Sequence, residues 1–277
     1  IKAGPVTLDS LPPELREDLG EIEAAERGAL PALVEEGDLT GTFHCHTTWS
    51  DGLNSLEEMA AAARQMGYAY LGIADHSEAA KYAGGLTRQQ VAEQHAAIER
   101  LNGTFRDFRL LKVIEADILA DGALDYDGET LRRFDYVVAS VHSRFTMDAS
   151  TMTARLLKAL SHPKVTMLGH VSGRLLLQRE PYLFDLEAVL QAAARHGVVV
   201  EINANPRRLD LDWRHLRRAR ELGVLLAINP DAHSTEGLRD IAYGVGVARK
   251  GWCTKSDILN ARPLPEVLAF LARRKAA

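Results

Sequence analysis

Cysteine is nearly absent from this chain: two residues in 277, Cys45 and Cys253, neither with a CxxC partner. That implies no disulfide framework, and it fits a reducing cytoplasm. Long apolar runs are absent too. None approaches the roughly 18 residues that a membrane-spanning helix needs. The opening stretch, IKAGPVTLDSLPPELRED, lacks the continuous apolar core of a signal peptide. It also begins without Met, which reads as a piece of a longer protein. There is no internal repeat and no low-complexity segment. No GxxxxGK[ST] loop is present, so an NTPase is not supported, and the GxG in YGVGVARKG has the wrong spacing. The nucleophile motifs GxSxG and CGSCW are missing as well.

What remains is a chain long for one ordinary domain and normal for a single α/β barrel, with 46% hydrophobic residues to fill its core. The net charge of −5 by itself argues against a nucleic-acid binder. The charge is uneven, however. Of 38 acids and 33 bases, ten acids and three bases fall in residues 1–40, which leaves 28 acids and 30 bases in residues 41–277. The body is slightly basic, and a polyanionic substrate stays open.

Residues 1–40 read as an acidic, Pro-containing lead-in with a short helix or two. After Gly41 the pattern alternates. Short runs rich in Val, Ile, Leu and Tyr at 42–46, 69–74, 111–118, 134–141, 165–169, 198–203 and 224–229 suit buried parallel strands. Between them lie helical patterns: NSLEEMAAAARQMG with Asn54 or Ser55 as cap, LTRQQVAEQHAAIERLNG with Thr87 as cap, DLEAVLQAAARHG and DWRHLRRARELG. Seven strand–helix repeats predict an α/β fold, a closed or nearly closed β/α barrel, with an open doubly wound sheet as the second choice.

Nearly every predicted strand ends in a residue able to bind metal: His44 and His46 (then Asp51), Asp75 and His76, Glu115, His142, His170, and Asp231 with His233. In a β/α barrel these ends meet at one mouth. His44 and His46, two apart on a strand, share a face, and Cys45 faces the other way as a small core residue. Asp231 and His233 pair by the same logic. Any one of these residues alone has a structural explanation: a hydrogen-bonded His, a salt-bridged Glu115, an Asp75 that caps the next helix. Six of ten histidines falling at strand ends weakens that explanation, whereas His95, His162, His196 and His215 lie in helices or turns. Imidazole and carboxylate together suit Mn²⁺, Zn²⁺ or Fe²⁺. Nine ligands are too many for one ion and about right for three, which points to phosphoester hydrolysis. Arg174 is the candidate phosphate-binding cation, with Lys81, Arg207 and Arg208 as weaker ones. The helix DWRHLRRAR reads as a solvated basic face before it reads as a backbone tracker.

HCHTTWSDG, IADHS, IEADIL, SVHSRF, GHVSGRLL and NPDAHS, in this order over residues 41–250, resemble the successive motifs of the PHP (polymerase and histidinol phosphatase) family. LPPELREDLGEIEAA, KYAGGL, GHVSGRLLLQREPY and EINANPRRLDLDW narrow the resemblance to the C-terminal PHP domain of bacterial family X DNA polymerases. The resemblance implies a distorted (β/α)₇ barrel over residues 41–277, after a lead-in that looks like the trailing edge of a polymerase domain. It implies three Mn²⁺ sites. His44, His46, Glu115 and Asp231 would hold one ion, Glu115 would bridge to a second with His142 and His170, and Asp51, His76 and His233 would hold the third. Asp51 stands where some relatives have His, which shifts that third site towards harder ions. Glu115, His142 and Arg174 are the expected catalytic groups. The activity implied is a 3′-5′ exonuclease on single-stranded or gapped DNA 3′ ends, with 3′-phosphatase or abasic-site endonuclease activity as variants of it and a polymerase domain as partner in the parent chain. Two rivals stay open: a phosphatase of small esters such as histidinol phosphate or a nucleotide, and a non-catalytic structural module.

Overall fold

The computed structural model describes residues 7–276. In chain order it holds α1 (Glu21–Glu26), β1 (Gly41–Cys45), α2 (Leu56–Gln65), β2 (Tyr70–Ile73), α3 (Arg88–Asn102), β3 (Arg109–Asp117), α4 (Gly128–Leu131), β4 (Tyr136–Ser140), α5 (Ala149–Leu160), β5 (Val165–Leu168), α6 (Leu186–His196), β6 (Val199–Asn203), α7 (Trp213–Glu221), β7 (Leu226–Asn229), α8 (Ile241–Lys250) and α9 (Leu264–Ala276). The seven strands pair in parallel in sequence order, β1 to β7. They form a near-closed barrel, and all seven expected strands are present. The open doubly wound alternative falls because β1 meets β7: Cys45 bridges Ala232 in parallel, and His46 N donates to Ala232 O at 2.8 Å.

Local chemistry sets the helix ends. Ser55 Oγ accepts from Glu58 N at 3.2 Å while the Glu58 carboxylate reaches back to Ser55 N at 2.8 Å, a reciprocal cap that starts α2. Thr87 and Gln90 do the same for α3. Asp185 and Asp212 cap α6 and α7.

The period of two along each strand sorts the core. Outward residues such as Ile114, Val137, Val200 and Ile228 pack under the helices. Inward residues Phe43, Tyr70, Leu111, Val113, Tyr136, Val138, Met167, Val199 and Ala227 fill the lower barrel. Each large side chain so buried stabilises the fold by about 1.5–3 kcal/mol. Val267 and Leu271 of α9 cover this core from the strands' N-terminal side. One inward position must be glycine: a Cβ on Gly72 would lie 2.6 Å from the backbone oxygen of Phe43. Further along the same inward rows the residues turn polar: 111 and 113 lead to Glu115 and Asp117, 199 to Glu201 and Asn203, 227 to Asn229 and Asp231. The barrel is thus apolar at its base and ionisable at the C-terminal mouth.

The acidic lead-in packs on the outside. Leu11, Leu15, Val34 and Leu39 are buried, Glu14 pairs with Arg249 at 2.6 Å, and Glu17 pairs with Lys250. Its first six residues lie outside the described region. Among the described residues no helix is long and apolar enough to cross a membrane.

Candidate metal centre

Nine polar side chains converge at the mouth. A bulge between Thr42 and Cys45 turns β1 so that Phe43 stays in the lower core while His44 and His46 enter the mouth and Cys45 packs outward. Glu115, 1% exposed, is the hub. Its Oε1 lies 2.8 Å from His170 Nε2 and 3.3 Å from His142 Nε2. Its Oε2 lies 3.1 Å from His76 Nδ1, 3.4 Å from His44 Nε2 and 3.6 Å from His46 Nε2. Asp231 Oδ1 lies 3.1 Å from His46 Nε2 and 3.6 Å from His44 Nε2. Asp51 spans the outer side, 3.4 Å from His233 Nε2, 3.6 Å from His76 Nε2 and 3.7 Å from His46 Nδ1.

Three ligand groups result: His44, His46 and Asp231; His76, Glu115 and His142; His46, Asp51, His76 and His233. Every nitrogen and carboxylate expected as a ligand lies at this mouth.

The donor set fits divalent cations. His44 Nε2, His46 Nδ1 and His76 Nδ1, each facing a carboxylate of the mouth, are buried without a hydrogen-bond partner. A buried polar atom left so costs about 1–3 kcal/mol. Five of the His–carboxylate separations above, 3.1–3.4 Å, fall within the roughly 3.0–3.4 Å between two ligands that share one ion at about 2.1 Å. Protonation follows the same field. Burial depresses His142, but Glu115 and Asp117 outweigh it and hold the imidazole at about 10. Burial also opposes His233, which Asp51 and Asp231 raise to about 9. His46 goes the other way, down to about 3, through burial and the neighbouring His233 and His76. Burial would raise Glu115, yet His142, His44 and His76 pull it well below its usual range. The carboxylates call for positive charge, and the imidazoles cannot all supply it.

The supporting residues were mostly not anticipated. Glu201, fully buried, accepts from His44 Nδ1 at 2.7 Å and from His170 N at 2.7 Å. Asp117 Oδ1 lies 2.6 Å from His142 Nδ1. Each occupies one ring nitrogen and leaves the other for the centre. The signal was available: Asp117 is two residues from Glu115, and Glu201 sits on the inward row of VVVEIN, the same-face logic that paired His44 with His46. Asn203 Nδ2 bridges Glu201 and Asp231 at 3.1 Å each. Asp75 caps no helix. It accepts from Thr47 N, Thr47 Oγ1, Ser50 Oγ and Gln94 Nε2 at 2.5–2.8 Å, which fixes the 47–51 loop that presents Asp51.

Arg174 is placed differently from the expectation. Its Nε and Nη1 donate to Arg208 O and Asp212 Oδ2, each at 2.8 Å, and its Nη2 to Leu209 O. It ties down the 208–212 loop. Arg208 is the arginine at the mouth, with Nε 3.4 Å from Asp231 Oδ2 and a buried Nη1 that has no partner. A cavity of about 520 Å³ opens there, lined by Asn205, Arg207, Arg208, Asp231 and His233 among others. Lys81 is exposed on the 81–83 turn.

Comparison with known proteins agrees with this geometry. Residues 42–205 match the PHP domain family. The chain is 44% identical over 266 residues to the DNA polymerase/3′-5′ exonuclease PolX of Bacillus subtilis (strain 168), a match that takes in 96% of this chain and 46% of that protein. It therefore spans about half the length of that relative. It is 27% identical over 199 residues to a probable phosphatase of Caldicellulosiruptor saccharolyticus, covering 69% of this chain and 78% of that one. Among solved structures, the histidinol phosphate phosphatase of Lactococcus lactis, complexed with zinc, L-histidinol and phosphate, superposes with a TM-score of 0.54 at 16% identity, over 76% of this chain and 93% of that chain. At that identity the likeness is one of fold.

Proposed function

The chain belongs to the PHP-domain family, and on that premise we propose that it is a metal-dependent phosphoesterase that hydrolyses DNA phosphodiesters as a 3′-5′ exonuclease. The observation that carries the reading is the Glu115 hub, with one carboxylate oxygen facing two imidazoles and the other facing three. That arrangement suits a carboxylate bridging two cations. In this reading residues 41–277 form the phosphoesterase unit and residues 1–40 are the lead-in from a preceding domain. His44, His46, Glu115 and Asp231 would hold one ion, Glu115, His142 and His170 a second, and Asp51, His76 and His233 a third. Mn²⁺ suits this mix of nitrogen and carboxylate oxygen, and Zn²⁺ and Fe²⁺ are its competitors. When bound, such ions supply a nucleophilic water at neutral pH and neutralise charge on the phosphate.

The chain's own groups do the rest. Glu201 and Asp117 orient His44 and His142. Arg208, with its free Nη1, holds a non-bridging phosphate oxygen, and Arg174 positions Arg208 through the backbone of the 208–212 loop. The slightly basic body and the cavity beside Arg207 and Arg208 favour a polyanion over a small ester. The strong likeness to a protein named as a 3′-5′ exonuclease supports the same choice.

The test is product analysis with Mn²⁺, using 5′-labelled single-stranded and gapped DNA beside histidinol phosphate, with His142→Ala as control. A ladder of shortened DNA, reduced at least a hundredfold in the control, is expected. Phosphate released from histidinol phosphate with DNA left whole moves the activity to a small-ester phosphatase. No turnover of either makes the domain a structural module.

A further inference from the structure

One aromatic side chain at the mouth has no structural employment. Tyr82 is 72% exposed, while Ala80 and Ala83 on either side of it are buried. Its ring centroid lies 6.3 Å from that of His76 and 6.5 Å from that of His142. Those two imidazoles flank Glu115, so the phenol ring stands over the edge of the metal centre. Its hydroxyl feels the charges of Asp117, Glu115 and Asp51 and, from across the mouth, of Arg208.

The exposure does not come from a loose loop. The 77–86 turn is tied by Ala80 N to Ser77 O, Ala83 N to Ala80 O, Gly85 N to Ala80 O and Leu86 N to His76 O, at 2.8–3.1 Å. Ala79 N donates to Asp125 Oδ2 at 2.6 Å, and Tyr126 Oη donates to Leu86 O. At Gly85 a Cβ would fall 1.9 Å from Ser77 O, so the turn closes too tightly for any side chain there. A rigid turn that holds a flat apolar ring in water, beside a centre built for phosphate, is preorganised for a flat apolar partner.

We infer that Tyr82 is a stacking platform for the nucleobase of the terminal nucleotide, and that it sets the preference of this site for base-bearing phosphodiesters. The inference rests on the nuclease reading above and adds the residue that recognises the substrate end. Arg208 holds the phosphate on one side of the mouth, and the Tyr82 ring receives the base on the other. Base–aromatic stacking tolerates any sequence, as an exonuclease requires. A hydroxyl is not needed for it, so Tyr82→Phe keeps the function and Tyr82→Ala loses it.

The experiment compares two single-stranded 5′-labelled oligonucleotides in Mn²⁺. One ends in a 3′ thymidine, the other in a 3′ tetrahydrofuran residue that has the sugar but no base. KM and kcat for removal of the last residue are measured for wild type, Tyr82→Phe and Tyr82→Ala, with metal content checked in each. Wild type is expected to favour the thymidine end by about tenfold in kcat/KM, mostly through KM. Tyr82→Phe retains that ratio and Tyr82→Ala brings it close to one. A wild-type ratio of one overturns the inference, as does a Tyr82→Ala protein that keeps the ratio or a Tyr82→Phe protein that loses it. If wild type shortens neither oligonucleotide, the nuclease reading itself falls, a result distinct from equal shortening of both.

Discussion

At the level of single residues the centre is organised by groups that face its ligands from behind. Glu201 accepts four hydrogen bonds inside the barrel, from His44 Nδ1, His170 N, Asn203 Nδ2 and Asn229 Nδ2, at 2.7–3.1 Å. Glu201→Gln keeps the shape but turns an NH₂ towards groups that already donate. His44 then loses its anchor, and Mn²⁺ affinity is expected to fall ten- to a hundredfold in calorimetric titration with secondary structure unchanged. Unaltered affinity would reduce Glu201 to a packing residue. Asp210 makes a different prediction. Burial, only partly offset by Ser172 and by Arg174, raises its carboxyl from 3.8 to about 6. The folded state therefore holds this proton more tightly than the unfolded chain does. The resulting stability is complete below about pH 4 and is lost as pH rises through 6. The span of about two pH units is worth up to about 3 kcal/mol. Urea unfolding in chelator at pH 4 and pH 7 should show Asp210→Asn gaining on wild type between the two. A constant difference would show that Asp210 does not titrate in this range.

Among the elements, the seam between β1 and β7 is the place where a barrel can fail. Two buried asparagines do there what a backbone ladder does elsewhere. Asn229 Oδ1 accepts from Phe43 N at 2.9 Å. Asn260 Nδ2 donates to Gly41 O at 3.0 Å and Ile228 O at 2.7 Å, and its Oδ1 accepts from Ile228 N at 3.0 Å. Asn260→Ala leaves three buried backbone groups without partners and is expected to cost about 2–4 kcal/mol in urea unfolding. A cost under 0.5 kcal/mol would mean that the seam closes without it. None of this was legible in the sequence, where Asn260 sits in a stretch with no period. The strands were legible, because burial on both faces writes a short run of Val, Ile and Leu bounded by polar or turn residues. The nine residues that meet at the mouth were legible for a related reason, most being polar residues at the end of such a run, with Glu115 inside one and Asp51 in the loop after another. Arg174 and Arg208 were not told apart, since the fold of the 205–212 loop decides which guanidinium reaches the mouth. The docking of α9 beneath the barrel also left no mark, as its apolar residues look like those of any surface helix.

In the molecule as a whole, the two ends of the barrel pull on stability in opposite ways. The base is apolar and closed by α9, and it stabilises the fold in any ionic condition. The mouth gathers Asp51, Glu115, Asp117, Glu201 and Asp231 within one layer, and all but the half-exposed Asp51 are nearly or fully buried. Protons on His142 and His233 offset part of that charge in the absence of cations. Cations that bind only the folded state add stability as RT ln(1 + [L]/Kd), about 4 kcal/mol at a thousandfold excess over Kd. Chelation should therefore lower the melting temperature by several degrees, and added Mn²⁺ should restore it. The base should keep the barrel folded throughout, so circular dichroism at 25 °C should not change. His142→Ala should show a smaller Mn²⁺-dependent rise, because one ligand group is broken while the base is intact. A melting temperature that ignores both chelator and Mn²⁺ would mean that these nine side chains satisfy one another. The hub carboxylate would then be a buried ion-pair network, and the case for hydrolysis at this mouth would fail with it.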